Sequence, residues 1–366
     1  MKINEVYIAA AGSGKTTHIV NLAISNPHLK VLITTYTIAN TDEIKKKFYE
    51  INGSVPNNVQ ILPWFTFLLR HCVRPYQNVL YKRDIKNIML ANGQSTTYVK
   101  STDINNYYFN KNGQIYSDKL SKFAIECNKK TNNAVVNRLQ KIYDAIFIDE
   151  LQDLAGWDLN TLELLFASGI TIIAVGDPRQ ATLRTNYSSK NKNKSQSNIL
   201  SYLLEIKDKY SIRIDTQTLI INHRSHKEIC DYSNELYSES KWPVTTSDFE
   251  TGNFEHVGVF LVNEDETDNY LDKYKPIQLR HNKTVIVSDK YRVQTFKKSK
   301  GLTYDRVVIY PTKSMLEWIF KKKTLAPSSR CDLYIALTRA RYSVGIIIPK
   351  DYLNKTCRLK LWCNYV

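Results

Sequence analysis

An apolar stretch runs straight into Ala9-Ala10-Ala11-Gly12-Ser13-Gly14-Lys15-Thr16-Thr17, and a helix-like segment follows to about Ile24. No other feature constrains the fold of this chain as much. The pattern has meaning only as strand, loop, helix, so Glu5–Ala9 is predicted as a strand of an α/β layer. Two glycines let backbone N–H groups turn inward around phosphate oxygens, and the start of the helix adds a favourable dipole. Ala11, Gly12, Ser13, Gly14, Lys15, Thr16 and Thr17 are the predicted cradle. Lys15 would reach the β- and γ-phosphates, and the Thr16 hydroxyl would bind Mg²⁺. Ala9 stands where the strict pattern has its first glycine.

Further apolar runs read as strands at Lys30–Tyr36, Ala145–Asp149, Thr171–Gly176, Thr218–Ile221, Gly258–Val262, Thr284–Val287, Arg306–Tyr310 and Ser343–Ile348. Helix-like segments separate most of them. That alternation predicts an α/β fold with two mainly parallel sheets. Residues 71–140, rich in Tyr, Asn and Lys, read as an insertion in a first domain spanning 1–187. Ser188–Asn198 reads as a basic, Ser/Asn-rich linker to a second domain at 199–366.

Tyr143-Asp144-Ala145-Ile146-Phe147-Ile148 ends in Asp149-Glu150. Adjacent carboxylates after a strand are often a plain helix cap. Beside a phosphate loop they point to hydrolysis: Asp149 can hold Mg²⁺ and Glu150 can polarise a water.

Asp149-Glu150-Leu151-Gln152-Asp153 resembles motif II of the UvrD/Rep-like superfamily 1 helicases. Other segments resemble the remaining motifs in the family's order. They are Thr34–Thr37 with Asp42–Lys45 (the segment that touches single-stranded DNA), Val175–Gln180 (III), Asn222–Ser225 (IV), Thr295–Leu302 (V) and Leu333–Ala340 (VI). The resemblance implies two tandem RecA-like P-loop NTPase domains. It implies ATP hydrolysed with Mg²⁺ in a cleft between them, driving movement along single-stranded DNA, in the 3′-to-5′ branch. Carried over by motif, Glu150, Gln180, Arg224 and Arg339 are catalytic, and His223 and Gly301 join the nucleotide site. Tyr36, Thr37, Trp64 and Lys300 would contact nucleic acid.

Three departures concern base and sugar and none the phosphates. No Gln precedes the loop, His223 replaces the motif IV aromatic, and Thr303 replaces the motif V Glu. Only 71 positions separate Arg224 from Thr295, which leaves little room for the family's second-domain insertion. A compact chain of this kind resembles partners of nucleases or effectors, including in bacterial anti-phage defence. Two other readings stay open: a nucleotide-gated DNA-sensing regulatory subunit, and an RNA-directed remodelling ATPase. Lys plus Arg number 51 against 35 acids, a net charge of +16 that suits a polyanionic partner. Six cysteines without a CxxC pair, no apolar run of about 18 residues and no leader-like start suggest a cytoplasmic protein off the membrane.

Overall fold

The computed structural model describes residues 3–238, 242–250, 252 and 254–363. Proximity along the backbone divides the chain into two compact units. The first comprises Met1–Ile8, Lys15–Pro178 and Leu183–Asp215, and the second Ala9–Gly14, Arg179–Thr182 and Thr216–Val366.

In the first unit the strands are β1 (Asn4–Ile8), β2 (Val31–Thr35), β3 (Val59–Pro63), β4 (Ile88–Met89), β5 (Ile115–Tyr116), β6 (Ala145–Ile148), β7 (Thr171–Gly176) and β8 (Ile212–Asp215). Six form one parallel sheet in the order β3-β2-β6-β7-β1-β8. Every residue of β2 and β6 is buried, the pattern of strands covered on both faces. The interrupting residues after β3 are mostly helical, with Ser117–Lys130 and Ala134–Ile142 as the longest elements and β4–β5 as a small parallel ribbon.

The second unit holds β9 (Ile221–Asn222), β10 (Thr246–Ser247), β11 (Gly258–Asn263), β12 (Ile277–Arg280), β13 (Val293–Thr295), β14 (Tyr304–Tyr310), β15 (Ala340–Ile348) and β16 (Lys360–Leu361). Its main sheet, also all parallel, runs β13-β12-β14-β15-β11-β16. The helices Lys227–Asn234, Lys313–Lys321 and Pro327–Leu337 pack their apolar residues into its core.

Three sequence expectations change. Ser188–Asn198 is not where the units part: the chain continues through the helix Ile199–Ile206 into β8, which pairs with β1, so the first unit extends to Asp215. Thr284–Val287 is a loop. Arg280 Nη1 donates to the Val285 carbonyl at 2.6 Å, Gln278 Nε2 donates to the Ser288 carbonyl at 2.8 Å, and Ile286 is 92% exposed. Of Thr218–Ile221 only Ile221 is in a strand, the two-residue β9.

Candidate nucleotide site

Within the first unit, β7 separates β1 from β6, and the helix Lys15–Ile24 begins seven residues beyond the end of β1. Thr17 lies in its first turn. The Thr16 hydroxyl donates to Asp149 Oδ2 at 3.2 Å. Asp149, only 4% exposed, has its carboxyl pushed up by burial and by the charge of Glu150, against the opposing pull of Lys15. A buried carboxyl raised in this way is poised to take a hard cation, whose charge favours the ionised form. A hydroxyl and one carboxylate also suit Mg²⁺, which keeps other positions for water and phosphate oxygens. Among the described residues no group of three or more His, Cys, Asp or Glu side chains gathers to hold a metal.

Glu150 follows with φ +56°, a left-handed backbone rare for a non-glycine residue, and its N–H donates to Asp149 Oδ1 at 2.8 Å. That turn aims two successive carboxylates differently, at a backbone cost of about 1 kcal/mol or more. Gln152 Nε2 donates to Glu150 Oε2, and Gln152 Oε1 accepts from the Asp177 N–H at 3.0 Å. A Cβ on Gly176 would stand 2.7 Å from that same oxygen, so the glycine makes room for the amide. Gln152 therefore fixes the Glu150 carboxylate against the end of β7. Gln152 lies inside the motif that carries Glu150, and that place in the motif is the one sequence signal for its role.

In the second unit, the segment Ala9–Gly14 is held on both sides. Ala10 N–H donates to the Leu219 carbonyl at 2.8 Å and Ala11 N–H to the Tyr334 hydroxyl at 3.3 Å. The buried Arg179 reaches the Ala9 carbonyl at 3.1 Å and the Thr245 hydroxyl at 3.2 Å. The Ser13 hydroxyl donates to the Ala10 carbonyl at 2.9 Å. Gly12 and Gly14 have φ of +75° and +77°, and a Cβ on Gly12 would lie 2.4 Å from Asn222 Oδ1 and 2.8 Å from Arg224 Cβ. Asn222 Oδ1 also accepts from the N–H groups of Arg224 (2.7 Å) and Ser225 (3.0 Å). Tyr334, Arg179 and Asn222 were likewise legible only as members of motifs, not as loop clamps.

Arg339 is 1% exposed, and its partners include Ile335 O (3.1 Å), Leu302 O (3.1 Å), Gln180 Oε1 (3.2 Å) and the Thr338 hydroxyl (3.3 Å). Arg224 Nη1 donates to the Thr338 carbonyl at 3.4 Å, beside Arg339 in sequence. His223 N–H donates to the Gly12 carbonyl at 3.0 Å, while its exposed ring sits 2.8 Å from Asp248 Oδ1. Gly301 takes φ +83°, next to the half-buried Lys300.

The nucleic-acid candidates divide. Tyr36 is half-buried, edge-on to Phe65 at 5.7 Å, with its hydroxyl 3.4 Å from the Arg184 carbonyl. Burial pushes that hydroxyl up to about 12. Thr37 caps the helix Ile38–Asn52, accepting from Asn40 N–H at 3.1 Å. Trp64 is a correction: at 1% exposure, with its ring centroid 5.6 Å from that of Phe67, it is core and offers no face to a base.

Two six-stranded parallel sheets, with a Lys-Thr phosphate loop and an acid pair on neighbouring elements, define a P-loop nucleotide-hydrolase architecture. The chain belongs to the family of the viral superfamily 1 RNA helicase core domain, which it matches over residues 100–348. It is 30% identical over 164 residues to the RecB subunit of the RecBCD enzyme from Borreliella burgdorferi, covering 44% of this chain and 12% of that protein. It is 28% identical over 137 residues to a probable DNA helicase II homologue from Mycoplasma capricolum, covering 36% and 17%. The matches thus span less than a fifth of either relative. An Arterivirus nonstructural protein 10 helicase structure is similar over 94% of this chain and 59% of its own, at 13% identity and a TM-score of 0.48. Among the described residues no helix is long and apolar enough to cross a membrane.

Proposed function

We propose that the chain is an ATP-driven motor of UvrD type that moves 3′ to 5′ along single-stranded DNA. The observation that carries this reading is the Thr16 hydroxyl on the buried Asp149 carboxylate, with Glu150 turned aside and held by Gln152. Lys15 supplies positive charge near Asp149 and would do the same for the phosphates. Thr16 and Asp149 would hold Mg²⁺, which when bound polarises a phosphoryl oxygen. Glu150 would accept a proton from the attacking water, with Gln152 as its positioning residue. Arg339 would stabilise charge on the transferred phosphoryl group, steadied by Gln180, and Arg224 would assist.

DNA is preferred to RNA because one of the two curated relatives is named as a probable DNA helicase, although the family is named for RNA helicases. A nuclease or other effector as partner is the reading from the motifs, and the similarity to RecB, named as a subunit of a larger enzyme, supports a partner of some kind. Direction rests on the resemblance of Asp149–Asp153 and Lys300-Gly301 to the 3′-to-5′ branch. The test is ATP hydrolysis measured alone and with single-stranded DNA, single-stranded RNA or duplex, beside Glu150→Gln. Stimulation by single-stranded DNA is expected, with turnover in the variant down about 10²-fold or more and ATP affinity retained. Normal turnover in Glu150→Gln would overturn the assignment.

A further inference from the structure

The stretch after Thr182 carries a row of side chains that the nucleotide chemistry does not use. Three of its residues are pinned within the first unit by hydrogen bonds. Thr185 N–H donates to the Asp153 carbonyl (3.0 Å), Asn186 Nδ2 to the Asp118 carbonyl (3.0 Å) and Asn191 Nδ2 to the Gly156 carbonyl (2.9 Å). Gly156 is a close-approach glycine here, since a Cβ on it would stand 2.5 Å from Asn186 Oδ1. The stretch therefore lies along the seam between the helices Ser117–Lys130 and Trp157–Phe166. Bonded on its inner side, it leaves Arg184, Tyr187 and Lys190 on the outer side, all partly or fully exposed.

Trp157 and Tyr107 lie along the same seam, both half-buried. Lys122 Nζ is 5.4 Å from the Trp157 ring centroid and 4.5 Å from that of Tyr107, and it donates to the Tyr107 hydroxyl at 3.1 Å. Lys190 Nζ stands 5.6 Å from the same Trp157 ring. Among the described residues neither amine has a carboxylate partner, unlike neighbouring Lys119, which pairs with Asp118 at 3.3 Å. Two cations with no counter-ion among the described residues are thus held over aromatic rings, and the stretch that carries Lys190 also carries the Arg184 carbonyl that the Tyr36 hydroxyl meets. A ring holds an amine in place without neutralising it, so each stays available to an anion.

We propose that Trp157, Tyr107, Lys122 and Lys190 form a seat for single-stranded nucleic acid, the two amines taking successive backbone phosphates and the rings bordering the bases. This rests on the motor reading above and extends the strand from Tyr36 onto the inserted helices. Positive charge with interleaved aromatics is what a strand-binding groove needs, and such a groove is tolerant of sequence.

The experiment compares the intact chain with Lys122→Ala/Lys190→Ala and with Lys46→Ala/Lys130→Ala, two exposed lysines elsewhere in the same unit. Affinity for single-stranded DNA and for single-stranded RNA is titrated across salt concentrations, and ATP hydrolysis is measured without nucleic acid. The seat variant is expected to bind roughly tenfold more weakly, with the salt slope shallower by about 1.4, two phosphates at about 0.7 each. Its hydrolysis without nucleic acid should be unchanged, and Lys122→Arg/Lys190→Arg should restore binding. The two arms show which nucleic acid uses the seat. If the seat variant binds both as tightly as the control variant, the seat is overturned and the motor reading stands. If the unaltered chain binds neither, the motor reading itself fails and takes the seat with it.

Discussion

Asp158 is a fully buried carboxylic acid one residue beyond Trp157, and replacing it with Asn should change how stability depends on pH. Its Oδ1 accepts from the Ser121 hydroxyl. Its Oδ2 makes no hydrogen bond of good geometry, although the Trp64 indole and the Thr185 hydroxyl lie close enough to favour the charged form somewhat. Burial dominates and pushes the group from its ordinary 3.8 to about 6. Each pH unit between those values is worth about 1.4 kcal/mol, so ionising Asp158 costs the native state about 3 kcal/mol. The sign follows from proton counts. Between pH 4 and 6 the folded chain holds a proton that the unfolded chain has lost, so this contribution is fully present below about pH 4 and disappears as pH rises through about 6. Asp158→Asn abolishes that dependence, at a price of about 1–3 kcal/mol for the amide donor it leaves without an acceptor. Hydrogen exchange of the helices Ser117–Lys130 and Trp157–Phe166, in both proteins at pH 4.5 and pH 8, isolates the effect. The variant should gain about 2 kcal/mol relative to the parent between the two pH values, since at pH 4.5 part of the effect is already lost. A relative gain under about 1 kcal/mol would show that Asp158 ionises readily in the fold, and the burial argument would be wrong.

Arg339→Ala should lower ATP turnover by about 10³-fold while single-stranded DNA binding persists, and Gln180→Ala, which spares the bonds to Leu302 and Ile335, should lower it less. Steady-state hydrolysis beside a DNA titration separates the two variants. Gly12→Ala should weaken nucleotide binding and lower thermal stability by about 2–4 kcal/mol, because the added carbon meets Asn222 Oδ1 on a backbone at φ +75°. Calorimetry with and without nucleotide measures both effects. In a strand-displacement assay on a 3′-tailed duplex, the isolated chain should translocate but unwind poorly, since each base-pair step opened costs roughly 1.4 kcal/mol. Fast, processive unwinding without additions would refute the partner-dependent reading.

The fold was legible where strands are unbroken apolar runs. Val31–Thr35, Ala145–Ile148 and Thr171–Gly176 are interior strands of a parallel sheet, and burial on both faces writes itself into composition. Strands with polar residues escaped. Val59–Pro63 contains Gln60 and closes on Pro63, while Ile277–Arg280 carries Gln278 and Arg280, whose side chains hold the following loop. The basic stretch Ser188–Asn198 looked like a linker because its lysines hide asparagines that bind backbone carbonyls. Thr16 and Asp149 come from separate motifs, and their side chains meet because β1 and β6 flank a single strand. Trp64 could not be placed from sequence, since an aromatic before a helix turns inward or outward according to packing contributed by distant residues. The left-handed turn at Glu150 has no sequence signature at all.

The pairing of β1 has a consequence for biosynthesis. Glu5 lies beside Ile173 and Arg213, so β1 sits inside its sheet between two strands that are both made long after it. At a ribosomal speed of about 5–20 residues per second, β1 waits on the order of 10–30 s after synthesis before β7 emerges. During that interval β2 and β3 can pair locally, but the Val6-Tyr7-Ile8 stretch has no native shelter. A nascent chain of this protein is therefore a natural client for a holding chaperone, and the phosphate loop Ala9–Gly14, whose partners Leu219 and Tyr334 are made later still, is among the last segments to acquire its shape.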